Sequence, residues 1–305
     1  MSLRSTVTVL VVVVVAAACG EAAAPSTAGP SASDSVATAL PTVAATPAPS
    51  GNPIHVLVLG DSIGIPRMGC GTCQGFDAQY ALWLEGKSGR PVKVDNQARP
   101  NAQIQDLQSV LDTEPAVQQQ IAAADIVVVT IGYNNGPNWD PTDPCHAPVA
   151  ASDAEGVRIA LEYLKPACVA ATLAEFGTRL ETLYGRIEAL AAGHVQVRVS
   201  LGVFANLDGN PGGDGTLAQL TADEMSRAIT QYNGIIDAWN VMDCAAAKKY
   251  GFVCGDIHHA FNGPDGTARV AGLVNPNDYV HPNVAGQAKI AALLEAIDVT
   301  AATGR

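Results

Sequence analysis

Short apolar runs alternate along this chain with amphipathic stretches, and that alternation predicts the architecture. Ile54-His55-Val56-Leu57-Val58-Leu59 is apolar, rich in β-branched residues and followed by glycine, which predicts a buried parallel strand. Residues 125–131, reading Asp-Ile-Val-Val-Val-Thr-Ile, predict another just before Gly132. Val92-Lys93-Val94, residues 195–203 and residues 252–258 predict three more. Between them lie helical patterns. In residues 76–86, Ala78, Ala81, Leu82 and Trp83 can share one face. Residues 101–124 read as helix interrupted near Pro115, and residues 153–164 as a short helix. Thr172 followed by Glu175, and Thr221 followed by Glu224, are capping-box patterns that predict helices over 172–192 and 221–250. Asn283 can cap a last helix reaching residue 297. Strands alternating with helices predict an α/β domain, a three-layer α/β/α sandwich on a five-stranded parallel sheet of the flavodoxin-like kind.

The first 52 residues do not fit that pattern. Arg4 precedes an apolar run over residues 7–18, too short to span a bilayer and of the right length for a signal segment. The run ends in Ala16-Ala17-Ala18-Cys19-Gly20, which resembles a bacterial lipoprotein processing site. The resemblance implies cleavage before Cys19 and lipid attachment to its sulfur. Ordinary secretory cleavage at Ala-x-Ala is the alternative. Residues 21–52 are almost entirely Ala, Pro, Ser, Thr and Gly, too little apolar surface to offset ordering entropy, so they read as a disordered tether. The expected organisation is a signal peptide over 1–18, a lipidated cysteine and linker over 19–52, and one folded domain over 53–305. That domain would be exported, held at the cell surface through Cys19 or secreted.

Composition narrows the function classes. The chain has 305 residues, 48% hydrophobic and 15% charged, with a net charge of −12. Such an acidic balance lacks the footprint of a nucleic-acid binder and disfavours attraction to anionic lipid, so membrane contact is expected only through the lipidated N-terminus. Beyond Cys19, six cysteines remain. An even number in an exported protein predicts disulfides, with fifteen possible connectivities among which sequence does not choose. Pairing of neighbours, 70 with 73, 145 with 168 and 244 with 254, is the expectation. Cys70-Gly71-Thr72-Cys73 has no second Cys-x-x-Cys to complete a zinc site.

The candidate chemistry lies at the ends of the predicted strands, where ligands bind in such sheets. Gly60-Asp61-Ser62-Ile63-Gly64 follows the first strand, Gly132-Tyr133-Asn134-Asn135 follows the 125–131 strand, and Asp278-Tyr279-Val280-His281-Pro282-Asn283 precedes the last helix. A serine hydroxyl is a poor nucleophile until a histidine takes its proton and a carboxylate holds that histidine in the right tautomer. Gly60-x-Ser62-x-Gly64 also fits the nucleophile elbow of α/β-hydrolases. There, however, the elbow follows several strands, and the acid and histidine occupy separate loops. Here the serine follows the first strand, and the acid and base lie three residues apart.

That arrangement resembles the SGNH, or GDSL-like, hydrolase family, over roughly residues 54–297. The resemblance implies that Ser62 is the nucleophile, His281 the base and Asp278 the acid. It implies an oxyanion hole of the Ser62 backbone N–H, the Asn134 side chain and a donor from a block where the family has glycine. Asn101 stands at that place, and Asn135 replaces the family's aspartate in Gly-x-Asn-Asp. It also implies hydrolysis of carboxylic esters through an acyl-enzyme, with no cofactor, on an acylated glycan or a lipid. The irregular insertion over 136–168, with Trp139, is the candidate for shaping substrate access.

Plainer roles exist for each residue. Ser62 could cap a helix, Asn134 and Asp278 could make turns, and Asp61 reads as structural. His55, His146 and His194 read as surface or turn residues. His258-His259 lies near Asp256, but on a strand the two histidines would face opposite ways, so no metal is expected. Residues 209–215 are glycine-rich without the Lys-Ser/Thr of a phosphate-binding loop. Two other functions use the same scaffold: a surface binding lipoprotein with weak turnover, favoured by Asn101 and Asn135, and acyl transfer to a sugar acceptor.

Overall fold

A computed structural model describes residues 49–135, 145, 148, 150–191, 193–194, 196–206, 216–270 and 272–303. The signal segment, the tether up to residue 48, Trp139, His146, part of the 136–168 insertion and the 209–215 loop lie outside the described residues.

Five strands form one parallel sheet: β1 (Ile54–Gly60), β2 (Val92–Asn96), β3 (Ile126–Thr130), β4 (Val197–Ser200) and β5 (Phe252–Cys254). Their order is β2-β1-β3-β4-β5, the flavodoxin-like order of a doubly wound sheet. The strand direction of winding reverses between β1 and β3, so the crevice at their carboxyl ends is the expected ligand site. Among the described residues ten α-helices flank the sheet, seven between strands and three after β5: α1 (Pro66–Cys70), α2 (Phe76–Ser88), α3 (Ile104–Thr113), α4 (Pro115–Ala123), α5 (Asp153–Tyr163), α6 (Pro166–Ala191), α7 (Ala222–Lys248), α8 (Ile257–Asn262), α9 (Val284–Glu295) and α10 (Thr300–Thr303).

Period-two alternation divides the core into two layers. Leu57, Leu59, Val127 and Val129 face α3, α4, α6 and α7 through Leu107, Ile121, Leu180 and Trp239. Ile54, Val56, Val58, Ile126 and Val128 face α2, α8 and α9 through Phe76, Tyr80, Phe261, Ile290 and Leu294. Burial on both sides explains why β1 and β3 read as continuous apolar runs rather than alternating ones. Among the described residues no helix is long and apolar enough to cross a membrane. Three disulfides join Cys70 to Cys73, Cys145 to Cys168 and Cys244 to Cys254, the neighbour pairing expected.

Three boundaries differ from the sequence reading. Helix α6 begins at Pro166 rather than at Thr172. Proline lacks the N–H that the first helical turn leaves unbonded anyway, so it starts a helix readily. Thr172 is fully buried inside α6, where its hydroxyl faces Cys145 Sγ at 3.4 Å. Strand β4 is shorter than the 195–203 run, because Asn240 of α7 takes up the Val203 N–H and C=O that a longer ladder would use. Strand β5 ends at Cys254, and Asp256 caps α8 by accepting from the His259 N–H. His258 and His259 therefore lie on a helix, and the strand argument for their divergence fails.

A buried carboxylate lies between α7, α6 and β4. Asp243 of α7 accepts hydrogen bonds from Tyr184 Oη of α6 and from Ser200 Oγ at 2.7 Å. Burial pushes its carboxyl up to about 6, against the lowering pull of the two hydroxyls. The folded protein thus holds a proton that the unfolded chain has released. Asp243 therefore lowers stability as pH rises from about 4 through about 6, by up to about 3 kcal/mol. Asp243→Asn keeps one acceptor for Tyr184 and a donor for Ser200. Urea unfolding is expected to find this variant more stable than wild type at pH 8 and no more stable at pH 4. An equal loss at both pH values would contradict this account.

Candidate active site

The nucleophile candidate sits at a turn that only glycine permits. Gly60 ends β1 at φ 143°, and a side chain there would come within 2.0 Å of the Thr130 carbonyl oxygen. The Asp61 N–H donates to that same carbonyl at 2.8 Å, so the chain leaves β1 pressed against β3. Residues Ser62–Gly64 form a single 3-10 turn capped by Asp61, whose Oδ1 accepts from the Ile63 N–H at 3.0 Å. The cap is thus Asp61, not Ser62. Ser62 is 7% exposed at the edge of the crevice, and among the described residues its backbone N–H makes no hydrogen bond.

Asp61 also binds this turn to the loop after β3. Its Oδ2 accepts from the Tyr133 N–H at 3.1 Å. Burial pushes the Asp61 carboxyl up to about 7, opposed by the N–H groups of Ile63, Tyr133 and Gly132 and by nearby His281. Asn134 follows Tyr133, and its Nδ2 donates to the Ala102 carbonyl at 3.0 Å. An amide carries two N–H bonds, so one remains for a ligand. Asn135 is buried and accepts from Ile104 N–H at the start of α3. That role needs only an acceptor, which asparagine supplies as well as aspartate.

The loop between β2 and α3 is strapped along the same edge. Gln97 and Arg99 donate backbone hydrogen bonds to Val58 and Gly60, and Arg99 makes a two-pronged ion pair with Glu114. The loop brings Asn101 to φ 59°, the left-handed region that asparagine tolerates better than most side chains. The backbone thus takes the conformation glycine would favour although the residue has a side chain. Among the described residues the Asn101 N–H makes no hydrogen bond.

Acid and base come from the loop between α8 and α9. His281 Nδ1 lies 3.0 Å from Asp278 Oδ2. Asp278 Oδ1 accepts from the Val280 and His281 N–H groups at 2.9 and 3.0 Å, and Asn275 Nδ2 reaches Oδ2 at 3.2 Å. Burial raises the Asp278 carboxyl, but His281 and the two N–H groups outweigh it and leave the pKa below the ordinary carboxylate value. With Nδ1 facing the carboxylate, Nε2 is the remaining ring nitrogen. It is buried and, among the described residues, makes no hydrogen bond, with Ser62 or with any other group.

This loop is fixed from three sides. Gly69 of α1 packs so closely that an added Cβ would lie 2.1 Å from the Pro282 carbonyl oxygen. Gln287 of α9 accepts from the Phe76 N–H, which joins α9 to α2. Asn206, beyond β4, donates to the Tyr279 carbonyl at 3.3 Å and accepts from Tyr232 Oη at 3.0 Å. Tyr279 itself sits at φ 54°, an unfavourable conformation for an aromatic residue that these neighbours hold. Asn206, Tyr232 and Asn275 escaped the sequence reading. Only Asn275 left a local signal, as an asparagine three residues before Asp278 in a turn.

The predicted residues thus lie on three loops at the carboxyl edge of β1, β2 and β3 and on a fourth after α8. His55 and His194 are far from them in role: both flank Asp125 at the start of β3, the His55 N–H donating to its carboxylate and His194 Nε2 lying 3.5 Å away.

Comparison with curated proteins finds no match. Among solved structures, the fold is similar to that of a lipase from a goat rumen metagenome, at 15% identity and a TM-score of 0.54 over 80% of this chain and 96% of the other. It is similar to a putative GDSL-like lipase from Parabacteroides merdae, at 16% identity and a TM-score of 0.51 over 85% and 99%. It is also similar to phospholipase A1 from Streptomyces albidoflavus, at 24% identity and a TM-score of 0.51 over 80% and 99%. The model of the GDSL-like Lipase/Acylhydrolase family matches residues 58–289, most of the chain, and the chain belongs to that family of hydrolases.

Proposed function

We propose that the protein is an exported serine esterase that hydrolyses carboxylic esters through an acyl-enzyme. The observation that carries this reading is the His281 ring, tied at Nδ1 to Asp278, left with a buried Nε2 that has no hydrogen bond among the described residues, and close enough to Asp61, next to Ser62, to act on its carboxyl. In this reading Ser62 Oγ forms a bond to the ester carbonyl carbon while its proton passes to His281 Nε2. The C–O bond to the leaving alcohol then breaks, and His281 returns the proton to that alcohol. Water repeats the sequence on the acyl-enzyme and releases the carboxylic acid. Asp278 steadies the imidazolium throughout. Contacts between nucleophile and base tighten as substrate is held.

The oxyanion would be met by the Ser62 and Asn101 backbone N–H groups and the second N–H of Asn134. Asn134→Ala is expected to lower kcat by about 10²–10³ with little change in KM, read by steady-state kinetics. An unchanged kcat would remove Asn134 from the hole.

Export is supported by the apolar run over 7–18, the Ala-Ala-Ala-Cys19 sequence and three disulfides, which persist in oxidising compartments. Anchoring through a lipid on Cys19 is part of the proposal, with an acylated surface glycan or a lipid as substrate. The experiment that tests the function is hydrolysis of p-nitrophenyl esters from acetate to palmitate by the purified protein, with and without an added sugar alcohol. Turnover gives the activity, the chain-length optimum gives the pocket, and the product mixture separates hydrolysis from acyl transfer. No turnover on any ester by the folded protein would count against the esterase.

A further inference from the structure

His258, the second residue of α8, is fully buried, yet among the described residues neither ring nitrogen has a hydrogen-bond partner. Gly266 packs against the Cε1 edge of the ring. Nδ1 lies 2.8 Å from Asp237 Oδ1 of α7, close but misdirected for a hydrogen bond. Leaving both ring nitrogens of a fully buried histidine without a hydrogen bond is costly, and native structures seldom do so without a further partner. The His259 ring stands beside it, with ring centroids 5.1 Å apart. One ligand atom from each of Asp237, His258 and His259 lies within 4.8 Å of the other two.

We propose that Asp237, His258 and His259 bind a divalent transition-metal ion, Zn2+ by the chemistry of the donors, and that the ion clasps α8 to α7. Two imidazoles and one carboxylate suit Zn2+, whose Zn–N and Zn–O bonds of about 2.0–2.2 Å require donors roughly 3.3 Å apart. The Asp237–His258 pair needs to open by only about half an ångström to admit the ion. The half-exposed Asp237 and His259 give it a path from solvent and leave a coordination position outward. A second feature points the same way. Asp256 Oδ2 lies 2.8 Å from His259 Nδ1, which occupies that nitrogen and leaves Nε2 as the one to ligate. A carboxylate behind the ligating imidazole is the usual companion of a histidine that binds zinc.

The clasp reaches the acid–base loop through α8. Asn262 at the end of that helix holds Ala205 by both its N–H and C=O, and the next residue, Asn206, holds Tyr279. The ion would therefore stiffen the loop that carries Asp278 and His281 without touching substrate. This inference does not depend on the esterase reading, because its readout is binding.

The test is calorimetric titration of ZnCl2 into the full chain after chelator treatment and dialysis. One ion per chain is expected, with a rise in Tm. His259→Ala and Asp237→Asn, both at partly exposed positions, should each lower affinity by at least about 100-fold, and Asp256→Asn by about 10–100-fold. His194→Ala should leave binding unchanged. Absence of saturable one-to-one binding to the folded wild type would overturn the proposal. So would binding that survives both His259→Ala and Asp237→Asn, or that is lost instead in His281→Ala.

Discussion

Replacing Ser62 with alanine is expected to lower kcat/KM for ester hydrolysis by at least about 10⁴, while the folded state is kept. The size follows from what remains. Without Oγ no acyl-enzyme forms, and only binding and oxyanion donors can still favour attack by water. The fold should tolerate the change, because the cap of the turn is Asp61 and because no hydrogen bond of the described residues uses the Ser62 side chain. Steady-state kinetics on the best p-nitrophenyl ester, with circular dichroism to verify folding, reads this out. Activity within tenfold of wild type would mean that some other group carries the chemistry.

Asp278→Asn is expected to cost about 10⁴ in kcat with KM little changed. The reason is the direction of the hydrogen bonds. Val280 and His281 N–H both donate to Oδ1, so an asparagine must place its carbonyl oxygen there. Its NH2 group then faces His281 Nδ1 and Asn275 Nδ2 where Oδ2 stood. Asn275 loses its acceptor, and His281 must present a lone pair at Nδ1. The ring then carries its proton on Nε2 and cannot accept one from Ser62. If the variant keeps more than a tenth of wild-type kcat, Asp278 serves the turn rather than the histidine.

The legible parts of the fold are those whose signal is local. β1 and β3 are unbroken apolar runs because both faces are covered, and the Thr221 capping box and the Asn283 cap open α7 and α9 where the sequence places them. The Thr172 pattern misled because a capping box is also a common helix-interior sequence, and Pro166 had already opened the helix. β5 stops short of the 252–258 run because Gly255 and Asp256 end it, although Ile257 continues the apolar pattern. The convergence of His258 with Asp237 depends on a helix and on a residue twenty-one positions away.

The site divides in the same way. Ser62, Asn134, Asp278 and His281 stand in short motifs at loop ends. What holds them does not: Asn206 and Tyr232, and Arg99 with Glu114, meet only once the chain has folded. Asn101 is a middle case. Its side chain departs from the family pattern, but the departure is conformationally mild, since asparagine is the residue besides glycine most at ease at positive φ.

The central claim is that Ser62 is a nucleophile activated by His281. It is tested most directly by treating the folded protein with a fluorophosphonate probe and locating the adduct by peptide mass spectrometry. The account predicts one adduct per chain, on Ser62, absent in Ser62→Ala and strongly slowed in His281→Ala. A folded wild type that takes up no probe, or takes it up on another residue, would contradict it.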